Sequence, residues 1–345
     1  MRKKRAVFII HPRDHHDLIE RYPWARFPPK WITDEVLTSL SGRFGLTVCE
    51  KVDVYDKVDL YLVAVLLKGY QFSSETPSAL KRVRSRILDA VYYAQDHINA
   101  DVIGLGALCA SATEGGKWLV RQDNITSCIT HGDSYSIAIS IEGIQKIVSC
   151  SGLKNPVIAI VGAYGLVGRA ISSILAEKYD IIMMGRNEVK LRRFQINKGI
   201  KGMITTNMKD LRRADIVITA TSHPRALLHQ SHLKDGAIIY DVSQPENVSK
   251  SLVKERPDLI KIDGPLTKIP GINIRFDMKT GEDRTFACLT ETVMMTLEGI
   301  EGDFVGEIDM SHIEYLKSIG KKYGFTHASF TQFGLPIKEE DLSRV

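Results

Sequence analysis

The sequence predicts an α/β protein of more than one domain, with helices at its C-terminal end, and three observations carry that prediction. Over the first third, runs rich in Val, Leu and Ile alternate with helix-like runs: AVFIIHP, DHHDLIERY, LTVCEKVDVYDKVDLYLVAVLL, LKRVRSRILDAVYYAQDHI and DVIGLGAL. After a break at SGLKNP (Ser151–Pro156), the stretch VIAIVGAYGLVGRAISSILAEKYDIIMMGRN reads as strand, tight glycine turn, helix and strand. Strand-like runs then recur at DIVITAT, AIIYDVS and LIKIDG, so that a doubly wound sheet is expected over roughly residues 155–265.

Each element has a local reason. The basic start MRKKRAVFIIHPRD holds only AVFII as an apolar run, which is too short for a signal-peptide core and reads as a first strand. In YPWARFPPKW (Tyr22–Trp31) the prolines exclude regular structure and four aromatics need cover, as in a loop packed on the core; the alternatives are the rim of an apolar channel or a peripheral membrane contact. The cluster KRVRSR (Lys81–Arg86) heads a helix and reads as a solvated face, with a docking patch for an acidic partner as the alternative. From about residue 284 the pattern is helical. The expected division is 1–150, an α/β domain for the substrate; 151–283, a Rossmann-type domain; and 284–345, a C-terminal helical segment.

Bulk properties narrow the function. The chain has 345 residues, 44% of them hydrophobic and 25% charged, with a net charge of +5, which is no nucleic-acid signature. Its five cysteines show no metal spacing and no disulfide framework, which points to a reducing compartment. No apolar stretch reaches membrane-spanning length. A cytoplasmic protein without a metal is expected.

The turn GAYGLVG (Gly162–Gly168) suits a dinucleotide. Gly162 permits the exit from the strand, Gly165 lets the backbone approach a pyrophosphate, and Gly168 lets helix and sheet pack closely. Tyr164, Leu166 and Val167 share that turn and are assigned to the cofactor. The second strand ends in Gly185, Arg186 and Asn187, where an NAD enzyme usually carries an acidic residue. A guanidinium pairs with a 2′-phosphate that a carboxylate would repel, so NADPH is the expected cofactor. Ala220, Thr221 and Ser222 end one later strand, and Val242 and Ser243 another; they are expected to border the ribose and nicotinamide.

A hydride donor leaves the acceptor open. Cys288, in TFACLTET, falls in the first turns of a helix introduced by KTGED, where the helix terminus favours thiolate. Phe286, Leu289, Val293 and Leu297 form an apolar stripe, and Cys288 lies off it. Cys109, in IGLGALCASATEGG, is the competing cysteine. His131 in ITHGDSYS and His223 in ATSHP are acid–base candidates, each equally readable as a loop histidine held by backbone.

At this point several segments together resemble the long-chain acyl-[acyl-carrier-protein] reductases that make fatty aldehydes in cyanobacteria, with their bacterial relatives. The segments are GLGAL, THGDSYS, VGAYGLVG, GRN, RTFACLTETVMMTLEG and HIEYLKSIGKKYGF, and LKRVRSRILDAVYYAQDH looks like its counterpart there. The resemblance runs from about residue 80 to 330, and FACxxE followed by LEG is its most specific part. It implies NADPH as hydride donor, Cys288 as the residue that takes the acyl group from acyl carrier protein or acyl-CoA, and an aldehyde product open to a consuming enzyme. It also puts His131 and Asp133 among the catalytic candidates. Asp133 stands where family members tend to have asparagine, and Cys109 and Ala110 where they favour small hydroxyl residues. Other readings are a shikimate-dehydrogenase-like enzyme without covalent catalysis, a glutamyl-tRNA-reductase-like enzyme with its nucleophile at Cys109, and a non-catalytic NADPH-binding partner protein.

Overall fold

Residues 2–13, 15–39, 42–72, 76–281 and 283–344 are described by the computed structural model; Asp14 of the run DHHDLIERY and Glu282 of KTGED lie outside them. The chain forms two units that differ from the expected division. Unit 1 comprises 1–132, 271–276 and 288–307; unit 2 comprises 133–270, 277–287 and 308–345. The boundary at 150 moves to 132 because helix Asp133–Ser151 packs within unit 2. A Cβ on its Gly143 would fall 2.9 Å from the Tyr240 hydroxyl, and the Tyr135 hydroxyl donates to Phe325 O at 2.9 Å. The C-terminal segment is not a domain of its own but is shared between the two units.

Unit 1 is built on a five-stranded sheet of β1 (Lys4–Ile10), β2 (Leu46–Val54), β3 (Val58–Val65), β4 (Val102–Leu105) and β5 (Cys128–Thr130), in the order β2-β3-β1-β4-β5. The long apolar run after Gly45 becomes a hairpin, β2 and β3, because Tyr55 and Asp56 turn the chain with φ of 56° and 55°. β1 pairs in parallel with both β3 and β4, and four of its residues in succession are fully buried, as a central strand requires. Helix Pro77–Tyr93 starts with proline in its first turn and buries Val83, Ile87, Ala90 and Val91 against Val7, Ile9, Val63 and Ile103. The KRVRSR cluster is less solvated than expected. Arg86 is buried, and Arg84 donates to Ala112 O at 2.8 Å and to Glu114 at 2.6 Å, so that Lys81 and Arg82 carry what surface charge remains.

The proline-rich stretch also departs from expectation. Pro23 opens a single 3-10 turn, Pro23–Arg26, and helix Lys30–Ser39 follows Pro28 and Pro29 directly, since proline's fixed φ suits a helical first turn. Of its aromatics only Tyr22 gains cover, beside Leu18, Leu37 and Leu66; Phe27 and Trp31 are 83% and 67% exposed.

Unit 2 carries a six-stranded sheet of β6 (Val157–Val161), β7 (Asp180–Met184), β8 (Met203–Thr205), β9 (Ile216–Thr219), β10 (Ile238–Asp241) and β11 (Ile260–Asp263). The order is β11-β10-β9-β6-β7-β8 and every pairing is parallel, which is the doubly wound arrangement expected. The strand order reverses beside β6, so the crevice for a ligand opens where β6 meets helix Leu166–Leu175. Among the described residues no helix is long and apolar enough to cross a membrane.

Candidate functional site

In unit 2, the glycine turn is shaped by close approach. Gly162 has φ +91°, and a Cβ there would collide with the Ala220 carbonyl oxygen; a Cβ on Gly168 would collide with the carbonyl of Gly162. The backbone therefore folds flat at the head of helix Leu166–Leu175, with Gly165 as its N-cap. The first amides of a helix have no carbonyl partner within it, so those of Leu166 and Val167 are available to a pyrophosphate. Such a cradle fits a dinucleotide. The Tyr164 ring covers Gly185, where a Cβ would collide with it, and the Lys190 ammonium lies 5.8 Å from the ring centre. Arg186 is exposed beside them. Asn187 serves first as a helix cap: its side chain accepts from Lys190 N at 2.9 Å. Lys190 was not foreseen, because it stands a helical turn beyond the motif.

The two later turns are tied together. The Thr221 amide donates to Ser243 Oγ at 3.0 Å, and the Thr221 hydroxyl donates to Asn247 Oδ1 at 2.5 Å. Asp241, fully buried, accepts from Thr219 Oγ1 and from the amides of Ser243, Asn247 and Val248. Burial pushes its carboxyl up to about 6, against the pull of Lys261 and the Thr219 hydrogen bond. Burial draws the Lys261 ammonium down, but Asp263, Glu246 and Asp241 outweigh it and hold the lysine above its usual range. Ser222 is exposed and Val242 half-buried at the ends of β9 and β10. His223 is held by its own turn, with Nδ1 3.0 Å from Arg225 O, as a loop histidine would be.

In unit 1, helix Ala287–Glu298 was expected to bury one stripe. Instead it is buried all round, and from Ala287 to Thr296 only Cys288 keeps partial exposure. Cys288 is its second residue, in the electropositive first turn. Segment Thr130–Gly132 lies against it. Gly132 has φ +74°, and a Cβ there would collide with Cys288 Cβ and fall 2.8 Å from its Cα. The segment is fixed from behind: Phe304 N donates to Ile129 O at 2.8 Å, and His131 N to Phe304 O at 3.1 Å. His131 is buried, with 2% of its surface exposed. The structure thus brings His131 and Cys288 into one neighbourhood.

Two further candidates stand in other surroundings. Cys109 sits in helix Leu108–Ala112 with no exposed surface, and burial pushes its thiol up to about 12, which keeps it from acting as a thiolate. Asp133 belongs to unit 2, where it supplies negative charge to the first turn of helix Asp133–Ser151. Glu291 and Thr130 were missed. Both are fully buried, and Thr130 Oγ1 donates to Glu291 Oε1 at 2.6 Å. The glutamate of FACxxE was the available signal.

Known proteins bear on this geometry. The profile of the shikimate/quinate 5-dehydrogenase family matches residues 143–264. Over 322 residues, 88% of this chain and 88% of the relative, the sequence is 23% identical to a long-chain acyl-[acyl-carrier-protein] reductase of Synechococcus elongatus, a distant similarity. Among solved structures, the nucleotide-binding domain of glutamyl-tRNA reductase from Thermoplasma volcanium is 22% identical over 37% of this chain and 84% of that one, with a TM-score of 0.28. L-Tryptophan dehydrogenase from Nostoc punctiforme aligns over 99% of this chain and 86% of that one at 10% identity, with a TM-score of 0.42. The parallel sheet, the glycine turn at its switch point and the family match that spans them make this chain a pyridine-nucleotide-binding oxidoreductase of mixed α/β fold.

Proposed function

We propose that the protein reduces a long-chain acyl thioester, carried by acyl carrier protein or coenzyme A, to the free aldehyde with NADPH, through a thioester on Cys288. The observation that carries this reading is the placement of Cys288: the one partly exposed residue in the first ten of a buried helix, at its electropositive end and against the His131–Gly132 backbone. Thiolate attack on the acyl carbonyl forms the Cys288 thioester and releases the carrier thiol. NADPH, when bound, supplies a hydride to that carbonyl. The resulting thiohemiacetal on Cys288 collapses to aldehyde and thiolate, and one proton is taken up in the whole reaction. His131 and Asp133 are proposed as the polar groups that serve the acyl carbonyl and the proton. The 23% identity to the acyl-[acyl-carrier-protein] reductase supports the substrate class. An aldehyde of this kind would suit hand-over to a consuming enzyme or to a membrane surface.

Incubation with radiolabelled long-chain acyl-CoA without NADPH is expected to place the acyl group on Cys288 and none on Cys109. Peptide mass spectrometry reads the site. Label on Cys109 would move the nucleophile, and no label at all would favour a shikimate-dehydrogenase-like reaction without a covalent step, consistent with the family match over 143–264.

NADPH rather than NADH is the proposed donor, held at its 2′-phosphate by Arg186 with Lys190 nearby. Arg186→Ala is expected to weaken NADPH about 10- to 100-fold, on the scale of a charge-assisted pair, and NADH far less. Titration of nucleotide fluorescence measures both, and equal losses would refute the role.

A further inference from the structure

We infer that Thr130 and Glu291 form a brace that positions Cys288, an inference that rests on Cys288 being the nucleophile. Glu291 follows Cys288 by three residues on one helix, so the two side chains share a face. A carboxyl with no exposed surface, in a helix that otherwise buries Leu289, Val293, Met294 and Met295, is costly unless hydrogen-bonded. One partner is Thr130, whose hydroxyl donates to Glu291 Oε1 at 2.6 Å and accepts from the Gly132 amide at 3.1 Å. A hydroxyl has one proton, so this relay has a fixed direction: Gly132 N–H to Thr130 Oγ1, and Thr130 O–H to Glu291. Gly132 is in turn the residue whose backbone lies on Cys288.

The contacts close a ring. Cys288 is joined through its own helix to Glu291, Glu291 to Thr130, Thr130 to Gly132, and Gly132 by packing back to Cys288. Thr292 Oγ1 also donates to the Cys288 carbonyl at 3.1 Å, which fixes the helix backbone at that turn. The brace therefore holds two things together, the thiol and the backbone segment beside it. Glu291 and Thr130 are positioning residues; neither is assigned to touch the substrate.

The test is the rate of Cys288 alkylation by iodoacetamide across a pH series, read by peptide mass spectrometry, which needs no acyl donor. Nucleotide affinity and reductase kcat and KM are measured on the same variants. Thr130→Val keeps shape and removes the hydroxyl; it is expected to slow alkylation and kcat about 10-fold and to shift the pH profile, since misplacing a reacting group costs rate steeply. NADPH affinity should stay unchanged. Thr130→Ser and Glu291→Gln, which keep a donor and an acceptor, should recover most of the rate. Glu291→Ala carries the greater risk of misfolding, so the two Thr130 variants decide. Thr130→Val with a lowered melting temperature but the wild-type alkylation rate and pH profile would overturn the brace. Slowed alkylation, in a protein whose Cys288→Ala form still reduces acyl thioester, would keep the brace and reject the nucleophile.

Discussion

Cys288→Ala should abolish aldehyde formation, with a fall in kcat/KM of at least about 10³-fold, because the proposed covalent route carries the acyl chain on this thiol. The alternative thiol within unit 1 that lies past a sheet strand, Cys109, is fully buried and its pKa is pushed up to about 12, so it offers no bypass. Nucleotide affinity should be unchanged, because Cys288 is no part of the glycine turn Gly162–Gly168. Alanine is a good helix former and the position is only half-buried, so the melting temperature should change little. The measurement pairs NADPH oxidation with direct detection of the aldehyde, and a Cys288→Ala protein that keeps a tenth of the wild-type rate would end the proposal. Cys288→Ser should fare little better, since an alkoxide is a far poorer leaving group than a thiolate.

Gly132→Ala should be the most damaging single-methyl change near the site. Its cost has two sources. Alanine at φ +74° pays the left-handed penalty of about 1 kcal/mol, and its Cβ would enter the space held by Cys288. The Cys288 backbone sits in a helix buried on every side, so it has little room to retreat. A stability loss of about 2–3 kcal/mol is expected from overpacking and strain together, seen as a lower denaturant midpoint with an unchanged m-value. The alkylation rate of Cys288 should fall about 100-fold, as displacement of a reacting atom by an ångström implies. A protein with wild-type alkylation and only the stability loss would show that the close contact serves folding alone.

The Rossmann-type unit was legible because its signals are local. A strand, a glycine turn and a helix follow within a few residues, and the collisions that demand Gly162 and Gly168 involve the turn itself and the next strand end. Strand β8 was not read, because three residues, Met203–Thr205, carry no period. In unit 1 the difficulty was of another kind. A 3.6-residue period sees apolar residues only, so it gave helix Ala287–Glu298 one buried stripe and was silent on Thr290, Glu291, Thr292 and Thr296. All four are fully buried. What covers them is supplied by distant segments such as Thr130–Gly132, and no spacing within the helix records that. Choosing between Cys109 and Cys288 likewise turned on exposure, which local sequence left open. The acyl-reductase resemblance pointed at Cys288 and at the glutamate three residues on, yet gave no reason for the glutamate; the Thr130 hydrogen bond gives one.

The interrupted make-up of unit 1 has a consequence for synthesis. Its first 132 residues leave the ribosome without the unit's two later segments, residues 271–276 and 288–307. A Cβ on Gly104 of β4 would collide with Thr292, so that face of the nascent sheet is shaped for a helix translated much later. In the interval the strands of unit 2 from β6 to β11 are made in one uninterrupted run and can assemble as they emerge. Unit 1 must wait for the residues that complete it, Cys288 among them. Cys288 thus arrives on the segment that finishes the unit, and a chain truncated before it would lack both.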